Sequence, residues 1–456
     1  MDRTGTGLRS SGDGLVQAHL VGMDERGMMG LAQVLTQGGV VVTGLAPNIG
    51  QATDRLGRLG VRVHAGHSPS SAPKSARLLV YGPGVSRVHP DRLAASRSGI
   101  AQESCPEVLA GLLRGGVGIA ASGGRKAGLI AAMVGWTLTH AGLDPTVVLG
   151  SAAPQLGGSG RLGRGPHVVV DDQGGSPGPA WPGVAIAILH DDSSGASRAE
   201  GLRRWAEASP PEGYVLAFAD EVDPSEADLP AVVERFSLAP GHAWWGADLR
   251  HDRGCYRFRA FHRGRFVVEI RLQVPGRQAA IGALAAVAAC GRVDLTTRAI
   301  KEALEEFGGI SRGFESRGSY RGVTLVDDEA DGPTGVAEAL AVAREAFGRR
   351  RLCVAYGHPE GSGRPWPPAE SFAEADRAWI IGDRADAGSG ESGASGLVGA
   401  LEAMGARVDR ASNLDEAIRE LDRNLEPGDV LVTLGAGEVG TIADAFLRRL
   451  RRDRHA

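Results

Sequence analysis

The most chemically suggestive feature of this sequence is one lysine set in a glycine turn. The stretch Gly118-Ile-Ala-Ala-Ser-Gly-Gly-Arg-Lys-Ala-Gly-Leu-Ile-Ala-Ala-Met133 reads as a short apolar strand (Gly118 to Ala121), a glycine loop over Gly123 and Gly124, and an apolar helix starting near Lys126. A strand, a glycine turn and a helix N-terminus together cradle phosphate, because backbone N–H groups and the positive helix end face the anion. A working loop of this kind ends in Gly-Lys-Ser/Thr: the lysine reaches the β/γ-phosphates of ATP and the hydroxyl holds Mg²⁺. Here Lys126 stands alone, since Arg125 takes the place of the last glycine and Ala127 that of the hydroxyl. The stretch has the architecture of a nucleotide site without all of its chemistry. An ordinary strand–turn–helix joint is the alternative reading.

A second glycine turn, Gly22-Met-Asp-Glu-Arg-Gly27, follows the apolar run His19-Leu-Val21. Gly22 and Gly27 would let a backbone approach a diphosphate, but Asp24 and Glu25 bring two carboxylates to the spot that should attract an anion. A helix end contributes only about 0.3–1 kcal/mol there, which two carboxylates can cancel. The other reading is that they cap the following helix.

These turns need elements to position them, and the chain supplies a strand–helix alternation. Strands are expected at 19–22, 40–43, 62–64 and 77–81, with helices at 31–36, 51–59, 90–98 and 106–114. That alternation predicts a doubly wound parallel sheet with ligands at the carboxyl ends of its strands, here near Gly22 to Gly30. A second α/β unit begins at the lysine turn, with strands at 146–149, 167–170, 184–188 and 214–218. It continues into an alternating hairpin over Cys255 to Leu272 that turns near Gly264, then helices at 277–290 and 295–307. The hairpin's arginines read as a solvated strand face or a basic patch. A third unit runs from the strand Val323 to Asp327 through the turn Gly435-Ala-Gly-Glu-Val-Gly440 to a last helix. The expected division is a disordered lead over 1–16, an N-terminal Rossmann-like domain over 17–113, a central P-loop-type domain over 114–312, and a C-terminal Rossmann-like domain over 313–456.

Composition narrows the function classes. A length of 456 residues fits about three domains, and 42% hydrophobic with 23% charged residues describes a globular chain. A net charge of −4 excludes a general polyanion binder, and 5% aromatics argue against a stacking surface for single-stranded nucleic acid. Cys105, Cys255, Cys290 and Cys353 are far apart and read as free thiols in a reducing compartment. No signal peptide and no membrane span is expected, which points to the cytoplasm.

Three α/β units, the middle one carrying a phosphate-binding turn, resemble the Mur ligases, and among them the branch that joins L-alanine to UDP-N-acetylmuramate. The likeness runs from about His19 to about Phe446. It is carried by His19-Leu-Val-Gly22 with Gly27-Met28 and Gly30-Leu-Ala32, by Gly66-His67-Ser68, and by Ala141-Gly-Leu-Asp-Pro-Thr146. Pro275-Gly-Arg277, Val323-Thr-Leu-Val-Asp-Asp328 with Ala330 and Pro333-Thr334, and Gly435-Ala-Gly437 with Gly440 follow in family order. The resemblance implies ATP and Mg²⁺ as cofactors, an acyl-phosphate route to an amide bond in peptidoglycan precursor synthesis, and a UDP-linked muramic acid or other cell-wall enzymes as partners. Carried over by position, it implies Lys126 as the catalytic residue, and Gly123, Gly124, Lys126, Arg312, Asp327 and Asp328 around the nucleotide. Gly22, Gly27 and His67 would hold the substrate, and Asp171 would face the metal.

The departures cluster where the chemistry should be. The family's Gly-Thr-His-Gly-Lys-Thr-Thr loop is Ser122-Gly-Gly-Arg-Lys-Ala-Gly128 here, and its Glu-Ala-Asp-Glu is Asp171-Asp-Gln-Gly174. Its metal histidine falls on Ser193, beside His190, which reads as a solvated loop histidine. Its adenine-reading His-Asn-x-x-Asn is Gln278-Ala-Ala-Ile-Gly282, and its paired arginines survive as Arg312. Its Asp-Asp-Tyr-Ala-His-His-Pro is Asp327-Asp-Glu-Ala-Asp-Gly-Pro333, and its Pro-His-Arg is His358-Pro-Glu360. The favoured expectation is a paralogue that has lost ATP-driven ligation and keeps a binding, scaffold or regulatory role. The alternative is a divergent, active ligase that uses substitute residues. A nicotinamide dehydrogenase is disfavoured, because neither turn is Gly-x-Gly-x-x-Gly with an acidic ribose partner.

Overall fold

The computed structural model describes residues 17–25, 27–46, 56–65, 75–172, 184–190, 196–218, 231–358, 365–382, 393–435 and 437–453. The lead over 1–16, His67, Ser193, Gly174 and Glu360 lie outside the described residues, as does the side chain of Arg125. Three sheets carry the fold of the described residues.

In the first sheet, β1 (Gln17–Val21), β2 (Val41–Ala46), β3 (Arg62–Ala65), β4 (Leu78–Tyr81) and β5 (Ala101–Ser104) lie in the order β3-β2-β1-β4-β5. Every neighbouring pair is parallel. Parallel strands are covered on both faces and so read as near-continuous apolar runs, as Leu78-Leu-Val-Tyr81 does. The edge strands Arg62-Val-His-Ala65 and Ala101-Gln-Glu-Ser104 are the exceptions. After the latter, Ser104 and Glu107 form a reciprocal capping box with Pro106 in the first turn, which starts the helix Cys105–Arg114.

The second sheet has ten strands: β6 (Val117–Ser122), β7 (Thr146–Ala153), β8 (Gly158–Arg161), β9 (His167–Asp172), β10 (Val184–Leu189), β11 (Tyr214–Phe218), β12 (Val232–Ser237), β13 (Trp244–Asp252), β14 (Cys255–His262) and β15 (Arg265–Pro275). Their order is β15-β14-β13-β12-β11-β10-β6-β9-β7-β8. β6 lies between β9 and β10 and is parallel to both. β14 and β15 meet at the turn Arg263-Gly264, as the alternation predicts. Their arginines pair with acids on a solvated face, Arg257 with Glu269 and Arg259 with Asp248.

The helix Met28–Gln37, which follows β1, ties the first two sheets together. A Cβ on its Gly30 would come within 2.7 Å of the Ser159 carbonyl oxygen and 2.9 Å of that of Leu149. Only glycine permits that backbone-to-backbone approach. Residues of both sheets, among them Leu20, Val80, Ala120, Val170 and Ala187, share one buried core with Leu31 of that helix.

The third sheet contains β16 (Glu315–Tyr320), β17 (Val323–Asp328), β18 (Leu352–Gly357), β19 (Arg377–Ile381), β20 (Arg407–Ala411) and β21 (Val430–Gly435), in the order β16-β17-β21-β18-β19-β20. Only β16 runs antiparallel to its neighbour; the other pairs are parallel. The α/β expectation of three sheet regions is met. By compactness the chain divides in two: the first unit runs to Gly309, and the second comprises Ile310–Ala456 with the short pieces His251–Tyr256 and Val274–Arg277. No helix among the described residues is long and apolar enough to cross a membrane. All four cysteines are free.

Candidate functional site

The lysine turn sits where the second sheet changes direction. β6 ends at Ser122, Gly123 turns the chain with φ +131°, and the helix Gly124–His140 begins at once. That φ belongs to glycine, so the turn retains the backbone form of a cradle. Strands β9 and β10 flank β6, which makes its carboxyl end the crevice where open α/β sheets take ligands. Lys126 lies in the first helical turn and is half-buried, while Ala127 is fully buried.

The neighbouring strand ends supply the side chains. Asp171 and Asp172 close β9 and are both buried. Ser122 Oγ donates to Asp172 Oδ2 at 2.8 Å, and the Gly150 N–H donates to Asp171 Oδ2 at 3.1 Å. Gly128 faces the same carboxylate, since a Cβ there would come within 2.9 Å of Asp171 Oδ2. Across β6, the His190 N–H donates to the Ser122 carbonyl at 2.8 Å. Its ring stacks on Phe218 with centroids 4.4 Å apart, and its Nε2 lies 3.2 Å from Gln278 Oε1. His190 is therefore buried, not the solvated loop histidine its polar neighbours suggest. The position directly after a central strand holds it under the sheet's end.

Among the described residues, the ends of β6, β9 and β10 carry a hydroxyl, two carboxylates and an imidazole, and Lys126 lies in the helical turn that follows β6. Lys126 and the turn amides suit an anion. The carboxylates are of the type that holds a hard cation, yet each accepts a bond from the chain itself. Among the described residues, no group of three His, Cys, Asp or Glu side chains is arranged to hold a metal ion.

In the second compact unit, Arg312, Asp327 and Asp328 do come together. Arg312 adopts φ +57° and its Nε donates to Asp327 Oδ2 at 3.1 Å, while an Nη donates to the Gly435 carbonyl at 2.5 Å. Thr433 Oγ1 donates to Asp327 Oδ1 at 2.7 Å. Burial raises the Asp327 carboxyl above its usual range, against the opposing pull of Arg312 and Thr433. Asp328 accepts from the Phe314 and Ala330 N–H groups, both at 2.8 Å. A Cβ on Gly435 would come within 1.9 Å of the Gly357 carbonyl oxygen, so the ends of β18 and β21 touch through backbone. Beyond β18, the His358 ring stacks on Trp366 at 4.3 Å, and its Nδ1 lies 3.0 Å from the Tyr356 hydroxyl. The sequence motif that singles out His358 carries no sign of this aromatic shelf, because Trp366 belongs to the next segment.

The first sheet's turn holds Gly22 and Gly27 at φ +81° and +79°, as a tight turn requires. Asp24 and Glu25 do not cap the helix that follows. Its N-cap is Gly27, with no side-chain bond. Glu25 instead crosses to the loop after β4, where Gly84 N–H donates to its Oε2 at 2.8 Å. That partner is 59 residues away, so local sequence could not identify it.

Comparisons with known proteins agree with this architecture. The profile of the Mur ligase family catalytic domain matches residues 17–116, and that of the Mur ligase glutamate ligase domain matches residues 313–437. The chain is 30% identical over 461 residues to the UDP-N-acetylmuramate–L-alanine ligase of Symbiobacterium thermophilum, covering 95% of each protein. It is 32% identical over 440 residues to the enzyme of that name from an Anaeromyxobacter species, covering 92% of this chain and 95% of the relative. The crystal structure of UDP-N-acetylmuramate-alanine ligase from Thermotoga maritima superposes with a TM-score of 0.80 at 20% identity, covering 96% of this chain and 99% of that one.

Proposed function

The chain belongs to the Mur ligase family, and on that premise we propose that it is a binding or regulatory member that no longer forms the amide bond. Its three-domain division would fall near residues 113 and 312, and its place of work would be the cytoplasm. The observation that carries this reading is Ala127. It is fully buried at the position where a working loop has its metal-holding hydroxyl. The nearest hydroxyl in the turn, Ser122, already donates to Asp172. Phosphoryl transfer depends on a metal ion bridging the β- and γ-phosphates and neutralising the developing charge. The described residues around this turn do not fit that ion. Gln278, in the adenine-reading position, faces His190 instead.

Calorimetry with ATP, with and without Mg²⁺, tests the reading. No magnesium-dependent binding is expected at micromolar concentrations, although Lys126 and the turn amides retain weak affinity for phosphate alone. Tight binding that requires Mg²⁺ would overturn it and favour the second reading, a divergent active ligase joining an amino acid to a UDP-linked sugar acid. The second reading draws on the convergence of Lys126, Asp171, Asp172 and His190 at the ends of β6, β9 and β10.

A further inference from the structure

A cavity of about 900 Å³ opens between the last turns of the helix Met28–Gln37, the connection of β7 to β8, and the segment that ends β8. Gln33 and Gln37 line it from the helix, Leu156 from the connection, Arg161 and Arg164 from β8 and just beyond, and Leu59 from the turn before β3. None of these residues belongs to the turns that follow β1, β4 or β6. The helix runs back from the carboxyl end of β1. Its last turn, and Leu59 ahead of β3, therefore lie toward the amino ends of that parallel sheet. Ligands of doubly wound sheets sit at the opposite, carboxyl ends.

Contacts between distant segments build the walls. Gln33 and Gln37 stand four residues apart and so share one face of the helix. Gln33 Nε2 donates to the Gly157 carbonyl at 3.2 Å, and its Oε1 accepts from the Gly160 N–H at 3.1 Å. Gln37 Oε1 accepts from the Leu162 N–H at 2.6 Å, while its NH₂ group has no partner among the described residues. On the other wall, the Asp144 carboxylate pairs with the Arg161 guanidinium and accepts from the Arg164 N–H at 2.9 Å. That N–H, and after it Arg161 and the charge of Arg164, holds the Asp144 carboxyl below its usual range. Two guanidinium groups against one carboxylate leave this wall cationic, and the charged side chains lining the cavity are both arginines. Leu59, Leu156 and Leu162 supply an apolar lining, with Leu59 exposed.

We propose that this cavity binds a small organic anion: an acidic head group, carboxylate or phosphate, against Arg161 and Arg164, and an apolar body against the three leucines. Its volume falls within the range of about 300–1,000 Å³ for small-molecule pockets, which orient a ligand with a few polar groups in an apolar lining. A guanidinium presents paired, planar N–H donors that match two oxygens of a carboxylate or phosphate. The Gln37 NH₂ group adds a neutral donor from the helix. A ligand that touches both the helix and the end of β8 ties them together, and it stabilises the folded chain by mass action. The site is separate from the lysine turn, so it stands whether or not the chain forms an amide bond.

Calorimetry of the full chain with phenyl phosphate, benzoate and phenol tests the site, with thermal unfolding as a second readout. Wild type is expected to bind at least one of the two acids saturably, with a raised thermal midpoint. Phenol, which lacks the acidic head, is expected to bind at least about tenfold more weakly. The tighter acid identifies the head group. Arg161→Gln/Arg164→Gln is expected to bind that acid at least about tenfold more weakly than wild type, and Lys126→Ala to bind it as wild type does. Circular dichroism checks folding, and Arg164→Gln alone, at an exposed position, serves if the double variant does not fold. No saturable binding of either acid by wild type would overturn the proposal, and so would equal binding by wild type and the folded arginine variant. Loss of binding in Lys126→Ala would overturn it too, because the anion would then sit at the lysine turn.

Discussion

The two glycine turns of the first compact unit have the same backbone plan and different contents. Each follows a central parallel strand, turns on a glycine with positive φ and leads into a helix. In the first, the chain's own Glu25 reaches back into the crevice and takes a backbone N–H. In the second, Lys126 remains, but the acids one strand away are bonded by Ser122 and Gly150. A fold can thus keep the backbone form of a glycine turn while the side chains around it differ. Shape is set by strand order and by glycines in close packing; chemistry is set by a few side chains that packing leaves free to change.

Gly30→Val separates the two turns most forcefully, because it would drive a side chain into the Ser159 and Leu149 carbonyls. Overpacking of this sort costs about 1–3 kcal/mol, and a β-branched side chain against rigid backbone belongs at or beyond the upper end. A large fall in thermal midpoint is expected; an unchanged midpoint would mean that the helix and β8 are not in contact.

An effect of similar size should appear as pH dependence on the first sheet. Burial lowers the His19 pKa from 6.5 to about 4, with His64 adding to the fall and Asp91 opposing it. Nδ1 of the ring lies 2.8 Å from Thr43 Oγ1. The folded protein keeps His19 neutral, whereas the unfolded chain takes up a proton below pH 6.5. Its contribution is therefore complete above pH 6.5 and is lost as pH falls towards about 4, a change on the order of 3 kcal/mol. Denaturant titrations across that window should be flatter for His19→Gln. An equal slope would show that the histidine is solvated.

A smaller effect compares the turns directly. Ser122→Ala removes the hydroxyl that donates to the buried Asp172. Leaving a buried acceptor without that donor costs about 1–3 kcal/mol. Glu25→Ala, at a half-buried position, should change stability by much less. Urea unfolding of both variants decides the point, and equal losses would erase the distinction between a buried acid and a half-buried one.

Sequence patterns reach the frame more readily than the contents of the site. The apolar runs of β1, β4, β6 and β10 are legible because central parallel strands are buried on both faces. The edge strand β5 and the helix Ala196–Ala208 escape such a reading, since Ala101-Gln-Glu-Ser104 and Ser197-Arg-Ala-Glu-Gly201 carry no clear apolar period. The altered lysine loop can be read residue by residue because its motif is contiguous. Glu25 and His190 cannot: one is defined by Gly84, the other by Phe218 and Gln278. Contacts between distant segments settle such roles, and no local window contains them.

The proposal that this chain keeps the fold of a ligase without its reaction meets its plainest test in turnover. UDP-N-acetylmuramate, ATP, Mg²⁺ and L-alanine are incubated with the purified chain, and phosphate release is measured with and without the amino acid. On the proposed reading no amino-acid-dependent release is expected, because Ala127 gives the metal no oxygen. Turnover by the unmodified protein that disappears in Lys126→Ala would contradict the loss of ligation.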